Sequence, residues 1–311
     1  MKIILSYRRD IWRDRVVECY PTCYGKRLVE KGHDIVEIGE GHRIVKLDDV
    51  DVSKWDLLLE IENGRGTDGK LRFQLQSSTT SIPSAVVLID SHGHPDLHKD
   101  IAALYSHVFF AVHAQRDLFV SHPSAHWLPC TSDPEFFFPH NPVGKKPGSR
   151  RPIYKHHLPK FNWGFFGSKT GLYRGDILKE ACQDLGMSYD IRQVGKAHRH
   201  RWPETCEAMH ECRYLFNKGQ KHDGPNQRVI ESMATRQLLF NDMDEREGMS
   251  LLFEEGKHFL GYTNKTELVE KMMWACTNPG LAELIAFNGY NEVRTKHFVT
   301  HRLDRILEVV R

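Results

Sequence analysis

The 311-residue chain lacks the long apolar runs that are typical of membrane proteins. No stretch approaches the ~18 consecutive apolar residues that a membrane-spanning helix needs. The N-terminal sequence MKIILSYRRDIW has only a short apolar run before Arg8, which is too short for a secretory signal peptide. We therefore expect no membrane span, and we interpret this run as the first buried strand of a sheet.

The chain also lacks an excess of charge of one sign and a recognisable cysteine framework. It has 43 Lys and Arg against 41 Asp and Glu, a formal net charge of +2, which argues against a general polyanion binder and leaves basic function to local patches. The seven cysteines are odd in number and widely scattered. This pattern predicts reduced thiols in a cytoplasmic protein rather than a disulfide-stabilised secreted fold.

Strand-like and helix-like segments alternate along both halves of the chain. In the first half, KIILSY, DIVEIG and SAVVLID have the composition of buried strands, and a helix ending at Gly32 separates the first two. In the second half, FNWGFFG, a helix ending at Gly186 and then YDIRQVG repeat this order. Because 311 residues exceed what one hydrophobic core usually serves, we expect two Rossmann-like α/β domains with parallel sheets.

A change of composition separates the two halves. Residues 141–160 contain four prolines, six Lys or Arg and no acid, which is typical of a linker. We therefore predict an acceptor-side domain over 1–145, a basic linker over 146–160, a nucleotide-sugar-binding domain over 161–293 and a final helix over 294–311. Asn288-Gly289 is a candidate break within the helical C-terminal region.

The segment around Pro225 has the features of an anion-binding helix. Gly224-Pro225 ends a loop, and proline is favourable at a first helical position because its missing N–H would have no partner there. A helix over about 225–235 follows, and its unpaired N–H groups and positive dipole end favour a phosphate. Arg228 lies one turn inside, where it can make bidentate phosphate contacts. Glu231 can accept hydrogen bonds from two hydroxyls of a sugar.

A glycine loop after FNWGFFG is a second candidate site. Gly167 and Ser168 can bring backbone N–H groups close to a phosphate, with Arg174 as a counter-charge. For Lys169, an ordinary strand-to-helix turn is an equally good interpretation. Two residues separate Gly164 from Gly167, so the four-residue spacing of a P-loop, and with it the ATPase interpretation, is excluded.

The strand SAVVLID ends in a third candidate, Asp90-Ser91-His92-Gly93-His94. Ligands of open α/β sheets lie at the carboxyl ends of strands, so Asp90 or His92 could remove the proton from an acceptor hydroxyl. A polar loop without a catalytic role is about as consistent with these residues. We expect no metal site, because no cysteine pair accompanies the histidines.

Several of these pieces together resemble the spore-maturation-protein (CgeB-like) group of GT-B glycosyltransferases. In addition to Arg174 and the helix with Arg228 and Glu231, the matching pieces are WGFFGS, LLFEEGKHFLGYTNKTEL, the NPG at 278–280, NGYNEVRTKHFVTHR and, in the first half, LPCTSDPEFFFP. Asp223 and Glu231 are spaced like the paired acids of retaining GT-B enzymes, with Asp where Glu is usual. The resemblance is strong from about Trp163 onward and looser before Asp90.

This resemblance implies two Rossmann-like domains that face each other across a cleft, with a C-terminal helix that crosses back to the N-terminal domain. It implies a metal-independent hexosyltransferase without a separate cofactor, whose donor is a nucleoside-diphosphate sugar, with a UDP-sugar expected. The implied donor-binding residues are Gly167, Ser168, Arg174, Lys218, Gly224, Pro225, Asn226, Arg228 and Glu231. The catalytic candidates are Asp90, His92 and Asp223. Asp90 as a base favours inversion, whereas the pair of Asp223 and Glu231 favours retention.

Two other functions stay open. The basic stretches at 145–160 and 192–202 suit an anionic acceptor such as nucleic acid, and hence a transferase that acts on hydroxylated DNA bases. A non-catalytic protein that keeps a nucleotide-sugar-binding fold is the second, because a fold does not fix an activity. The residues predict donor binding and leave the identity of the acceptor open.

Overall fold

A computed structural model gives the chain as two compact units. The first combines 1–131 with 297–311, and the second combines 132–220 with 225–296. The predicted linker lies outside the described residues except for 159 and 160, and the predicted domain boundaries stay predictions. The structure describes residues 1–9, 20–62, 73–89, 93–139, 159–168, 174–194, 202–219, 225–243 and 248–311, with only the backbone at 11, 12, 15, 16, 20, 168, 193, 194 and 202.

The first unit is built on a six-stranded parallel sheet. Its elements in chain order are β1 Lys2–Ser6, β2 Ile11–Trp12, β3 Arg15–Val16, α1 Tyr20–Glu30, β4 Asp34–Ile38, β5 Leu57–Ile61, β6 Ser84–Leu88, α2 Pro95–Ala102, β7 His107–Phe110 and β8 Ala125–Trp127. The sheet order is β4-β1-β5-β6-β7-β8, and β2 pairs with β3 in a separate antiparallel ribbon. Short 3-10 helices lie at Leu47–Asp49, Val52–Lys54, Gln74–Gln76 and His113–Phe119.

The second unit repeats this plan with five parallel strands. Its elements are β9 Phe161–Ser168, α3 Asp176–Asp184, β10 Tyr189–Val194, α4 Trp202–His210, β11 Cys212–Asn217, α5 Gln227–Ala234, β12 Leu238–Asp242, α6 Met249–Leu252, β13 Leu260–Tyr262, α7 Lys265–Thr277 and α8 Pro279–Lys296. The sheet order is β10-β9-β11-β12-β13, so the first strand lies between the second and the third. Two Rossmann-like sheets were predicted, and both are present.

The central strands are mostly apolar because helices cover both faces of a parallel sheet. All five residues of β5 and of β6 are buried. In the second unit Trp163, Phe165, Phe216 and Phe240 form an aromatic core under α3, α7 and α8. Both helix-ending glycines behave as predicted, since Gly32 and Gly186 have φ of +81° and +63°.

The last helix, α9 Val299–Val309, belongs to the first unit and packs against α1. The buried Arg302 donates through Nε to the carbonyl oxygen of Pro129 at 2.8 Å, and Nη2 lies 2.9 Å from Nδ1 of His297. Lys31 forms a 2.6 Å ion pair with Asp304. The predicted return of the C-terminal helix to the N-terminal domain is therefore confirmed.

The expected break at Asn288-Gly289 was wrong. Helix α8 continues through both residues, and the helical path is interrupted at His297-Phe298, before α9. A Cβ on Gly289 would lie 2.4 Å from the carbonyl oxygen of His258. This glycine therefore lets the helix approach a neighbouring backbone closely and does not end it. No helix among the described residues is long and apolar enough to cross a bilayer.

Candidate functional site

The donor-side residues predicted from the sequence lie at the carboxyl edge of the second sheet. In this sheet the strand order reverses between β9 and β11, and ligands of open α/β sheets bind outside the carboxyl ends of strands at such a switch point. Gly167 and Ser168 end β9, while Asn217 ends β11 and Lys218 follows it. The ends of β9 and β11, which precede the two predicted phosphate-binding segments, therefore lie on either side of the position where a ligand is expected.

Helix α5 begins at this edge, close to the predicted position. It starts at Gln227, directly after the buried Pro225 and the N-cap residue Asn226. Asn226 has the extended backbone of an N-cap, but its side chain makes no capping hydrogen bond. The first N–H groups of a helix have no intrahelical acceptor, and here no side chain of the cap residue supplies one. This helix end can thus accept an anion.

Arg228 and Glu231 face each other one turn apart on α5. Nη1 of Arg228 lies 2.5 Å from Oε2 of Glu231, whose side chain is 2% exposed. Burial raises the pKa of Glu231 to about 7, although the positive charge of Arg228 lowers it. An acid with this pKa changes its charge near neutral pH, which is the range in which an enzyme works.

Several polar atoms around this ion pair are buried and have no hydrogen-bond partner within the described part of the chain. They are Oδ1 of Asn226, Nε of Arg228 and Oγ of Ser232. A buried polar atom without a partner costs about 1–3 kcal/mol, and native structures keep few of them. Asn226 and Arg228 lie at the start of α5, and Ser232 lies one turn beyond Arg228. Polar atoms left in this state along one short helix indicate a site that a polar ligand completes.

Arg174 connects the glycine loop to the end of β11. Its guanidinium is buried, donates through Nη1 to the carbonyl oxygen of Lys218 at 3.2 Å and lies over the ring of Phe165, 5.8 Å from the centroid. A Cβ added to Gly167 would lie 3.3 Å from Nη2 of Arg174 and 2.9 Å from the Phe165 ring. The strand end therefore needs glycine for the arginine to fit beside it.

A network of asparagines, which the sequence analysis did not identify, supports the same edge. Nδ2 of Asn217 donates to Oδ1 of Asn241 at 2.6 Å, and Nδ2 of Asn226 reaches Oδ1 of Asn217 at 3.4 Å. The hydroxyl of Tyr262 donates to the carbonyl oxygen of Asn217, and the N–H of Gly219 donates to Asp242. The available signal was a polar residue at the end of each apolar strand, in CRYLFN and LLFND.

Not every predicted residue can be placed. Asp90, His92, Asp223 and Gly224 lie outside the described residues, and only the backbone of Ser168 is described. The roles predicted for them stay predictions. The remaining donor-side residues form one continuous group in the second unit, from Gly167 through Arg174 and Lys218 to Asn226, Arg228 and Glu231.

The first unit carries two buried acids at the equivalent edge of its sheet, which the sequence analysis also did not identify. Glu60 accepts hydrogen bonds from the hydroxyls of Ser6 and Tyr105 and from the N–H of Gln74, and burial raises its pKa to about 7. Glu62 accepts from the N–H of Ile89 and lies 3.4 Å from Nε2 of His98. Both acids follow the apolar run LLL. The signal in the sequence was therefore two acidic residues at the end of a strand whose composition predicts burial.

Comparisons with known proteins agree with this architecture. Residues 174–308 match the model of a family described as glycosyl transferase-like. An alpha-glucosyltransferase solved with UDP and a 13-mer DNA containing a HMU base superposes with a TM-score of 0.66 at 10% identity, over 100% of this chain and 99% of that one. The chain has the GT-B fold. The GT-B assignment covers both units, because the likeness extends over the whole chain.

Two further solved structures are similar over the whole chain. Sucrose-phosphate synthase from Thermosynechococcus elongatus has a TM-score of 0.64 at 10% identity, over 99% of this chain and 98% of that one. HepE from Anabaena, solved with UDP and glucose, has a TM-score of 0.59 at 12% identity, with the same coverage of 99% and 98%. No curated protein sequence matches the chain. Likeness at these identities shows the fold and leaves the activity to be argued from the site.

Proposed function

We propose that the chain is a glycosyltransferase that takes a sugar from a UDP-sugar and transfers it to a hydroxyl acceptor. The observation that carries the proposal is the N-terminal end of α5. There a helix start without a side-chain cap, an arginine and a buried acid lie close to polar atoms that have no partner among the described residues. The family matched by 174–308 is described as glycosyl transferase-like. Similar structures were solved with UDP, in HepE and in the alpha-glucosyltransferase.

The donor diphosphate fits the start of α5. Its negative charges would be met by the first N–H groups of the helix and by Nε of Arg228, which is buried and has no partner in the described structure. Transfer of the sugar breaks the bond between its anomeric carbon and the diphosphate oxygen, and the charge that develops on that oxygen is stabilised by groups already in place. These are the chain's own cations, and we propose that the reaction needs no metal.

Glu231 is suited to hold the ribose. Its ionised carboxylate can accept a hydrogen bond from each of two neighbouring hydroxyls, which would replace the water that burial removes. Arg228 would then contact the diphosphate while remaining beside the acid, 2.5 Å away. This arrangement explains why an acid is kept at a position that is 2% exposed.

Asp90 and His92, predicted after β6, are proposed as the acceptor-side groups, and Asp223 as the contact to the donor sugar. A base that removes the proton of the acceptor hydroxyl would give inversion, and a donor-side acid pair would suit retention. We further propose that the transferred sugar is a hexose, that the chain belongs with the CgeB-like group and that it acts in the cytoplasm. The resemblance of its sequence pieces to that group supports the CgeB-like assignment, and the odd number of scattered cysteines supports the cytoplasm.

A DNA base carrying a hydroxyl is the second candidate acceptor. The alpha-glucosyltransferase with TM-score 0.66 was solved with DNA containing a HMU base, and a beta-glucosyltransferase that superposes over 100% of this chain is called a DNA modifying enzyme. Binding to a duplex with hydroxymethylated bases that weakens steeply with salt would favour this acceptor. No binding at low salt would count against it.

A panel of nucleotides and sugar nucleotides tests the proposed function. UDP and UDP-sugars should raise the melting temperature more than GDP or TDP, since a bound ligand stabilises the folded state in proportion to its affinity. UDP release from UDP-glucose, UDP-galactose or UDP-N-acetylglucosamine should then identify the sugar. Stabilisation by UDP without release from any donor, with or without acceptor mixtures, would instead identify a non-catalytic binding protein. No stabilisation by any nucleotide would contradict donor binding.

A further inference from the structure

The second unit has a cavity at the opposite edge of its sheet from the donor site. The cavity has a volume of about 290 Å³ and lies between the amino ends of β11 and β12 and the first two turns of α8. It is lined by Arg213 and Arg236, by Glu283 and by the helix start at Pro279 and Gly280. Its size is close to the lower limit for small-molecule sites.

Arg236 occupies a backbone position that normally belongs to glycine. Its φ is +61°, the only positive value at a non-glycine position in the described part of the chain. The left-handed conformation is unfavourable for a residue with a side chain. Arg236 directly follows the last turn of α5, where glycine is usual. An arginine here gives up stability that a glycine would keep, and its side chain lies in the cavity wall.

The turn that carries Arg236 is held rigidly by its neighbours. The hydroxyl of Thr235 lies 2.7 Å from the carbonyl oxygen of Ser232 and 2.8 Å from Oε1 of Gln237, and its one hydrogen is donated to one or shared between these two acceptors. Nε2 of Gln237 donates to the carbonyl oxygens of Met209 and Cys212. The Arg236 guanidinium lies over Phe287, 5.1 Å from the ring centroid, and 3.5 Å from Glu283. The cation is therefore positioned before any ligand binds.

Gly280 has no structural reason of its own to be glycine. Its φ is not in the left-handed region, and nothing lies within 4 Å of a Cβ built on it. Glycine is less favourable than alanine inside a helix. Gly280 lies in the first turn of α8 and lines the cavity, so an anion there would meet the positive end of the helix dipole.

The positive charge of the cavity exceeds its negative charge. Arg213 lies over the ring of Tyr214, 5.2 Å from the centroid, and forms no ion pair with any described residue. Glu283 neutralises one of the two arginines, and its side chain is 74% exposed, so it can move aside into water. Two guanidinium groups on different elements and a helix start are the combination that suits the oxygens of a phosphate.

We propose that this cavity binds the phosphate group of a small phosphorylated molecule, at a site separate from the donor site. Both sites involve α5: the donor site lies at its first turn, and the cavity lies at its last. The eight residues of this helix separate them by about 12 Å. One phosphate cannot bridge the two positions, so each can be tested without the other.

Thermal unfolding with inorganic phosphate or glucose 6-phosphate, at constant ionic strength set with chloride, tests the proposal. We expect about 20 mM of either anion to raise the melting temperature by about 3 °C or more for a dissociation constant near 1 mM. The rise should persist in Arg228→Ala, which alters the donor site. It should be lost in Arg236→Gly, which should fold at least as stably as the native chain because glycine accepts the left-handed backbone.

Arg213→Gln should also lose the response, and Arg294→Gln, which removes an exposed arginine of α8 away from the cavity, should keep it. A phosphate response that is absent from the native chain, or that survives in Arg236→Gly and Arg213→Gln, would overturn the proposal. A response lost in Arg228→Ala instead would assign the anion to the donor site. Because none of these outcomes requires UDP to bind, failure of the proposed function would be recognised separately.

Discussion

Glu231 combines a buried position with an ionisable group, and this combination makes its behaviour depend on pH. Burial raises the pKa of this acid from 4.5 in an unfolded chain to about 7. As the pH rises from 4.5 through 7, the unfolded chain ionises first, so the ligand-free folded state loses stability across this interval. Above pH 7 the loss is complete, and an ionised acid remains in place for a ligand to satisfy.

Glu231→Gln should remove this pH dependence. We expect the free energy of unfolding of the variant, relative to the native chain, to increase on the order of 2 kcal/mol between pH 5 and pH 8, because glutamine carries no charge to bury. Urea unfolding at both pH values measures this difference. Glu60, whose pKa is also raised to about 7, contributes equally to both proteins and cancels in the comparison. A variant that shows the same pH dependence as the native chain would mean that Glu231 does not titrate in this range.

The affinity for the donor should depend on pH in the opposite direction to the stability of the ligand-free protein, and should increase as the pH rises. UDP-glucose, whose diphosphate has no group that titrates near neutral pH, should bind the native chain more tightly at pH 8 than at pH 6, since the ribose hydroxyls donate to the ionised acid. Calorimetric titration should find this dependence absent in Glu231→Gln, with binding at pH 8 weakened about tenfold, the equivalent of one charge-assisted hydrogen bond.

At the scale of the elements, the packing of α8 against a neighbouring backbone segment depends on one glycine. Gly289 faces the backbone of His258, and a methyl group there would lie 2.4 Å from a carbonyl oxygen. Gly289→Ala should therefore destabilise the second unit by about 1–3 kcal/mol, despite the higher helix propensity of alanine. Gly280→Ala in the same helix is the matched control. With open space around it, alanine should stabilise by up to about 1 kcal/mol. Equal effects on the denaturation midpoints would show that packing does not select Gly289.

The helices α5 and α8 show which features of an element can be predicted from its sequence. The helix around Arg228 was predicted over about 225–235 and extends over Gln227–Ala234, because loop, proline and apolar periodicity agree there. The break at Asn288-Gly289 was wrong, because a glycine that ends a helix and one that admits a neighbouring backbone look alike in a sequence. The asparagines Asn217 and Asn241 were missed, since their role depends on strands that become neighbours only in the folded sheet.

At the scale of the whole molecule, the chain returns to its first unit at the end. The buried Arg302 links α9 to the carbonyl oxygens of Pro129 and Cys130 and to His297. The two parallel sheets could be expected from the alternation of strand-like and helix-like segments, and this returning helix could be expected from the resemblance to a known family. The buried acids Glu60 and Glu62 could not be expected, because their environment is set by the packing around β5.

Arg302→Ala should destabilise the first unit by about 2–4 kcal/mol, because it removes the hydrogen bonds to the carbonyl oxygens of Pro129 and Cys130 and leaves a cavity in place of a buried side chain. Arg305→Ala is the control, since Arg305 is exposed and its one ion pair with a described residue is with Glu308 one turn away, at 2.7 Å. Its effect should be below about 0.5 kcal/mol. Chemical denaturation followed by intrinsic fluorescence provides the comparison. Equal effects for the two arginines would mean that the contacts of Arg302 do not stabilise α9 on the first unit.

The central claim is that the start of α5 holds the diphosphate of a nucleotide donor, and calorimetric titration of UDP into Arg228→Ala tests it most directly. The account predicts that UDP affinity falls at least about tenfold, which is the loss expected when one charge-assisted hydrogen bond is removed. Circular dichroism should show that the fold is intact. Arg294→Ala, which removes an exposed arginine elsewhere in the same unit, should leave the affinity unchanged. UDP binding that is equal in the native chain and in Arg228→Ala would contradict the account.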